Sequence, residues 1–181
     1  MMRDVLNEQA LPLGNEQALP LGFVYTLELV DREGNVLDSR TCKNIIPQVG
    51  INHIVGLLRG SATPIANWYM GIFEGNFVPS SGTTSANLQT DAKECVAYNE
   101  TNRPAWQHQY DGVQIISNLA TRAEFTMNAD KRIYGGFICA NSAKGSNTGV
   151  LLSIARFSSP LDMPSGTVGR LATAITIVPA T

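Results

Sequence analysis

Hydrophobic and polar positions alternate with period two along most of this chain and shift to a helical period once. Phe23, Tyr25, Leu27 and Leu29 alternate with Val24, Thr26, Glu28 and Val30. That spacing predicts a strand, with the turn DREGN at 31–35 and a return strand from Val36 to Cys42. The helical stretch follows. Pro47 suits a first helical turn, and Ile51, Ile54, Val55 and Leu58 fall on one apolar face. Arg59 and Gly60 supply a C-terminal stop. Residues 67–73, NWYMGIF, are apolar on both faces and predict a doubly buried strand, with Gly71 allowing close backbone approach. The helix is therefore expected to press Ile51, Ile54, Val55 and Leu58 onto a sheet.

Further strands are predicted at 93–98 (KECVAY), 114–119, 122–127, 132–140, 149–157 and 168–178. Ala123, Phe125 and Met127 alternate with Glu124, Thr126 and Asn128, marking a sheet with one wet face. The glycine pair at 135–136 is placed to bulge its strand. Residues 158–167, with Pro160, Pro164 and Gly166, predict a bend. Residues 76–91 form a long polar loop without periodicity, a length that is usually functional or disordered when free. Eight to ten strands, one short α-helix and frequent turns predict a mainly β chain, a β-sandwich or jelly-roll-like domain over 23–181.

Residues 1–22 stand apart as an extended N-terminal arm. The octapeptide NEQALPLG occupies 7–14 and again 15–22. Two copies are too few for a solenoid. Each Leu-Pro-Leu-Gly favours an extended chain and then a turn. Either the repeat is a duplication in a tolerant terminus, or Leu11, Leu13, Leu19 and Leu21 dock on a neighbouring subunit.

Composition changes the picture in one respect. Only 15% of residues are charged, against about a quarter in ordinary domains, and 14 Asn, 14 Thr and 12 Ser take their place. Such a surface suits contact with other protein, because interface cores are depleted in charge. The net charge of −2 gives no electrostatic footprint for nucleic acid. No apolar run is long enough to predict a membrane span, and the acid-bearing N-terminus predicts no secretory signal. Cys42, Cys95 and Cys139 are odd in number and widely spaced, which predicts reduced, mostly buried thiols in a protein made in a cytosol.

Candidate chemistry is sparse. His53 and His108 lack the paired spacing with cysteines that structural zinc sites show. Asp31, Glu33, Asn35 and Asp38 miss the spacing of a calcium loop and fit a polar turn. No nucleophile elbow or phosphate loop occurs, and the sequon Asn99-Glu100-Thr101 fits a plain turn. Trp106, after Arg103-Pro104-Ala105, either stacks on a ligand or plugs a core edge. No catalytic residue, cofactor or metal is expected. The candidate partner-binding residues are Leu11, Leu13, Leu19, Leu21, Phe77 and Trp106.

Four strings carry a family likeness: NIIPQVGINHIVGLLRG, NWYMGIFEGNFVPSSGTTSANL, KECVAYNETNRPAW and ISNLATRAEFTMNADKRIYGGFICA. Their order resembles that of tailed-bacteriophage virion proteins: a helix, a Trp-Tyr-x-Gly strand, a polar loop, Glu-Cys-x-x-Tyr with Arg-Pro-x-Trp, then Ser-Asn with Ala-x-Phe. Over residues 41–140 the chain is most similar to the cement, or decoration, proteins of short-tailed phages; Glu-Cys-x-x-Tyr with Arg-Pro-x-Trp is the most distinctive part. The resemblance implies a dimeric or trimeric β-sandwich or jelly-roll subunit on the capsid surface, bridging major capsid protein subunits, made in the host cytoplasm, with neither nucleic acid nor membrane as partner. The helix-plus-strand part also resembles tail, fibre and baseplate components. A carbohydrate-binding β-sandwich module is the reading from another class, and it would use Trp68 or Trp106.

Overall fold

Two antiparallel sheets face each other across one core in the computed structural model, which describes residues 21–177. The elements are β1 (Phe23–Val30), β2 (Val36–Lys43), α1 (Gln48–Leu58), β3 (Tyr69–Phe73), α2 (Asn87–Thr90), β4 (Gln109–Tyr110), β5 (Ile115–Ser117), β6 (Ala123–Thr126), β7 (Lys131–Cys139), β8 (Leu151–Met163) and β9 (Val168–Thr176). The larger sheet runs β2-β1-β9-β5-β4, with β6 also paired to β9; the smaller runs β3-β7-β8. The mainly β expectation therefore holds. A jelly roll has eight strands in two Greek keys, so with six and three strands the likeness stops at two facing sheets.

The period-two pattern of β1 sets the core. Phe23, Tyr25, Leu27 and Leu29 are buried and meet Met70, Ile72, Ile133 and Ile138 of the small sheet. Ala123, Phe125 and Met127 close the same core. The polar contact across it is satisfied: Tyr25 Oη donates to Ser153 Oγ at 2.8 Å, and Asn44 Nδ2 donates to the same oxygen at 2.6 Å.

β9 is shared end to end by β5 and β6, which leaves a gap at Ala172–Thr173. The Asn118 side chain fills it. Its Oδ1 accepts from Thr173 N at 2.7 Å, and its Nδ2 donates to Leu171 O at 3.2 Å. A side-chain amide stands in for the missing strand residue, as buried backbone groups require.

In the small sheet, glycine and phenylalanine face each other twice. Gly71 pairs with Phe137 and Phe73 with Gly135. A Cβ on Gly71 would lie 2.1 Å from Phe137 Cζ, and one on Gly135 would lie 2.2 Å from Phe73 Cζ. Each ring lies flat over the glycine opposite, and the pair seeds a second apolar cluster on the outer face of the sheet. Leu88, Ala92, Cys139, Leu151 and Ile154 complete it. The chain from 74 to 92 thus folds down as a cover. Residues 76–91 carry α2 and bury Leu88, where no regular element was expected.

A buried ion pair holds that cover. The Arg103 and Glu94 side chains are 0% and 1% exposed. Arg103 Nε and Nη2 donate to the two Glu94 oxygens at 2.7 and 2.6 Å. Its remaining N–H groups reach Asn141 O, Ser146 O and Cys139 Sγ. Burial works against the guanidinium's charge, yet the Glu94 carboxylate outweighs it and holds the Arg103 pKa above its ordinary value.

Three other expectations are corrected. KECVAY is not a strand: Lys93 has φ +52°, and only single bridges join Glu94 to Phe73 and Tyr98 to Met127. The bend over 158–167 begins later, because β8 runs through Pro160 to Met163. Proline is tolerated there because β8 lies at the sheet edge, where the Pro160 carbonyl accepts from Arg40 Nε. The helix is present, but its face is turned. Gly50 meets the backbone of Leu151 and Leu152, where a Cβ would lie 2.6 Å from the Leu152 carbonyl oxygen. Ile51, Val55 and Leu58 consequently face solvent, and of the predicted stripe Ile54 alone packs on the core.

Arg103→Met is expected to cost about 3–5 kcal/mol, since it strands Glu94 unpaired in the interior. The double change Arg103→Met/Glu94→Leu should cost less than that single change in urea unfolding. Gly71→Val should lower the melting temperature strongly, because Phe137 has no room to give.

Candidate interaction surface

The hairpin that joins β4 to β5 presents an apolar concavity at one end of the large sheet. Asp111-Gly112 forms its tip, with Gly112 at φ +82°. The Asp111 carboxylate accepts three backbone N–H groups, from Val113, Gln114 and Ile115, at 2.8, 2.8 and 2.9 Å. Those bonds hold the Asp111 carboxyl below its ordinary pKa, with Ile115 N–H the largest cause. Tyr110 Oη donates to Val113 O at 2.8 Å, and Ile177 N donates to Gln114 O at 2.9 Å. The tip is thus held rigid from inside and from both flanks.

What it holds rigid is apolar. Tyr110 is 60% and Val113 76% exposed, and Ile177 is exposed beside them. With Gln114 and Ile116 they line a cavity of about 330 Å³. Among the described residues no carboxylate lines it. Preorganised apolar groups of this kind favour docking of a complementary protein surface, because little ordering entropy remains to be lost.

A second exposed stripe is that of α1. Ile51, Val55 and Leu58 repeat along its outer side, and Leu58 is 83% exposed. Two apolar features on a chain so poor in charge are more informative than scattered single residues.

The candidate residues fall as follows. Leu11, Leu13 and Leu19 lie outside the described residues. Leu21 is described and exposed. Phe77 is half-buried under the outer cluster, and its neighbour Val78 is the one that faces solvent. Of the two readings of Trp106 the core plug is the one its burial fits: it is 7% exposed and packs edge-on to Phe23, with centroids 5.7 Å apart. Trp68 is half-buried beside His53, edge to face at 5.6 Å. Neither indole offers an open stacking platform, which weakens the sugar-binding reading. Cys42, Cys95 and Cys139 are free thiols, the latter two buried. Asp31 accepts from Asn35 N and Nδ2 and so closes the β1–β2 turn. Among the described residues no group of three or more metal-ligating side chains converges.

The apex residues Tyr110, Val113 and Ile177 do not stand out in the sequence. A usable signal is present all the same: Asp-Gly is a strong hairpin mark, and Val113 follows it directly. No protein-family model matches the chain, and no curated protein matches it either.

Replacing Asp111 with Ala should speed amide exchange at Val113, Gln114 and Ile115 and leave β7 amides protected. In the native protein those three amide shifts should titrate with a midpoint below about 3.9, the ordinary aspartate value. The carboxylate's contribution is present above that value and is lost as pH falls through the depressed native pKa.

Proposed function

We propose that the protein is a virion structural subunit that binds the outside of a phage capsid and braces neighbouring major capsid protein subunits. The observation that carries this reading is the rigid apolar apex formed by Tyr110, Val113, Ile116 and Ile177 on a charge-poor two-sheet domain. The family likeness over residues 41–140 supports the same reading. A brace works by burying area across a seam. Each contact needs only ordinary size, because many copies act on one shell. The apex suits a brace in three respects. It is apolar, its turn is closed by hydrogen bonds, and it sits at the end of a sheet whose other strands are tied into a single core.

The test is co-sedimentation of the full chain with expanded shells of the encoding phage that lack it. The wild type should saturate the shells, and Val113→Asp should bind at least ten-fold more weakly with an unchanged melting temperature. Absence of binding to shells, with the protein found on tails in imaged particles, would replace this reading by a tail component. Equal binding by Val113→Asp would remove the apex from it.

A further inference from the structure

We propose that the outer stripe of α1 is the dock for the Leu-Pro-Leu repeat of the N-terminal arm of a second copy of this chain. The stripe is apolar and open: Ile51, Val55 and Leu58 line the side of α1 that faces away from β8. It did not become core because Gly50 seats the helix backbone against Leu151 and Leu152. Its chemistry asks for a narrow apolar ligand, and the arm carries two.

Spacing matches. Four helical residues rise about 6 Å, the separation of Ile51 and Val55 along the axis. Two extended residues span about 6.6 Å, the separation of Leu11 from Leu13 and of Leu19 from Leu21. Proline between the leucines favours the extended form before binding, which lowers the ordering cost.

Reach matches too. The eleven residues of α1 are about 16 Å long. The 20 residues ahead of Leu21 can span at most about 66–72 Å. The arm is rooted beside the stripe: Phe23 N donates to Asn44 Oδ1 at 2.6 Å, Asn44 N donates to Phe23 O at 3.0 Å, and α1 begins four residues later. An arm of this reach can extend to the stripe of a second copy, so two chains can exchange arms. This inference is independent of shell binding and can fail alone.

Sedimentation velocity on the full chain decides it. The wild type should associate. Leu58→Asp, at a position 83% exposed, should be monomeric with an unchanged melting curve; Val55→Lys should behave alike. The arm variant Leu11→Ser/Leu13→Ser/Leu19→Ser/Leu21→Ser should also be monomeric. Mixing the arm variant with Leu58→Asp should restore a mixed species, since one supplies the stripe and the other the arm. A monomeric wild type, variants that keep the wild-type mass, or two folded variants that never associate on mixing would each overturn the proposal.

Discussion

The Arg103–Glu94 pair is the point on which the outer half of the molecule depends. An arginine side chain has five N–H donors, and here every one has an acceptor inside the protein. Glu94 takes two of them and also accepts Gly145 N at 2.9 Å. Arg103 N donates to Ser142 O at 2.7 Å. One guanidinium thus joins the segment after the polar cover to the loop between β7 and β8. A buried pair with this many bonds adds little net stability over an apolar replacement, but half of it is costly. Its contribution is to specify one arrangement of two loops that have no ladder of their own.

That arrangement matters because the small sheet is thin. Three strands with an uncovered face would expose Phe73, Phe137 and Ile154. The loop pinned through Glu94 brings Leu88 and Ala92 over them. Beneath it, Gly71 and Gly135 let two phenylalanine rings lie against the strands without lifting the cover. Ion pair and glycine pairs therefore act in series: the glycines make the face flat, and the pair keeps it closed. Arg103 also stacks over Phe137 at 5.2 Å, so both devices meet at one ring.

Much of this is legible in the chain. Period-two alternation in β1 and β6 names the core-facing side chains, because each strand has one core face and one wetter face; Val30, at the end of β1, is buried against the pattern. The doubly apolar run around Gly71 marks a strand covered on both sides. What cannot be read is long-range. Arg103 and Glu94 are charged residues nine positions apart in a stretch that looks like turn and surface; only convergence with Asn141 and Ser146 makes burial tolerable. The helix stripe shows in its spacing, yet spacing cannot say whether an apolar face or a glycine face meets the sheet. Gly50 decides that by offering closer approach than Ile51 could. Trp106 has the look of a binding residue because aromatics next to arginine often bind; Phe23, 83 positions earlier, takes it into the core.

The turned helix has a consequence for how the surface is organised. Charge normally keeps exposed apolar groups soluble and apart. This chain has little charge to do so, and several of its cations are already engaged: Arg103 internally, and Arg40, Arg122, Arg132 and Arg170 in pairs with Asp38, Glu28, Asp162 and Glu124. The Arg122 and Arg170 pairs cross the outer face of the large sheet, so that face is screened. The apex at Val113 and the stripe at Leu58 have no such pair beside them among the described residues. They are built on different elements, one an edge hairpin whose turn is held by the Asp111 and Tyr110 side chains, and one a helix that Gly50 seats against the backbone of β8. Two unscreened apolar surfaces of different shape can take two different partners without competing, as a subunit requires if it must hold both its own kind and a shell.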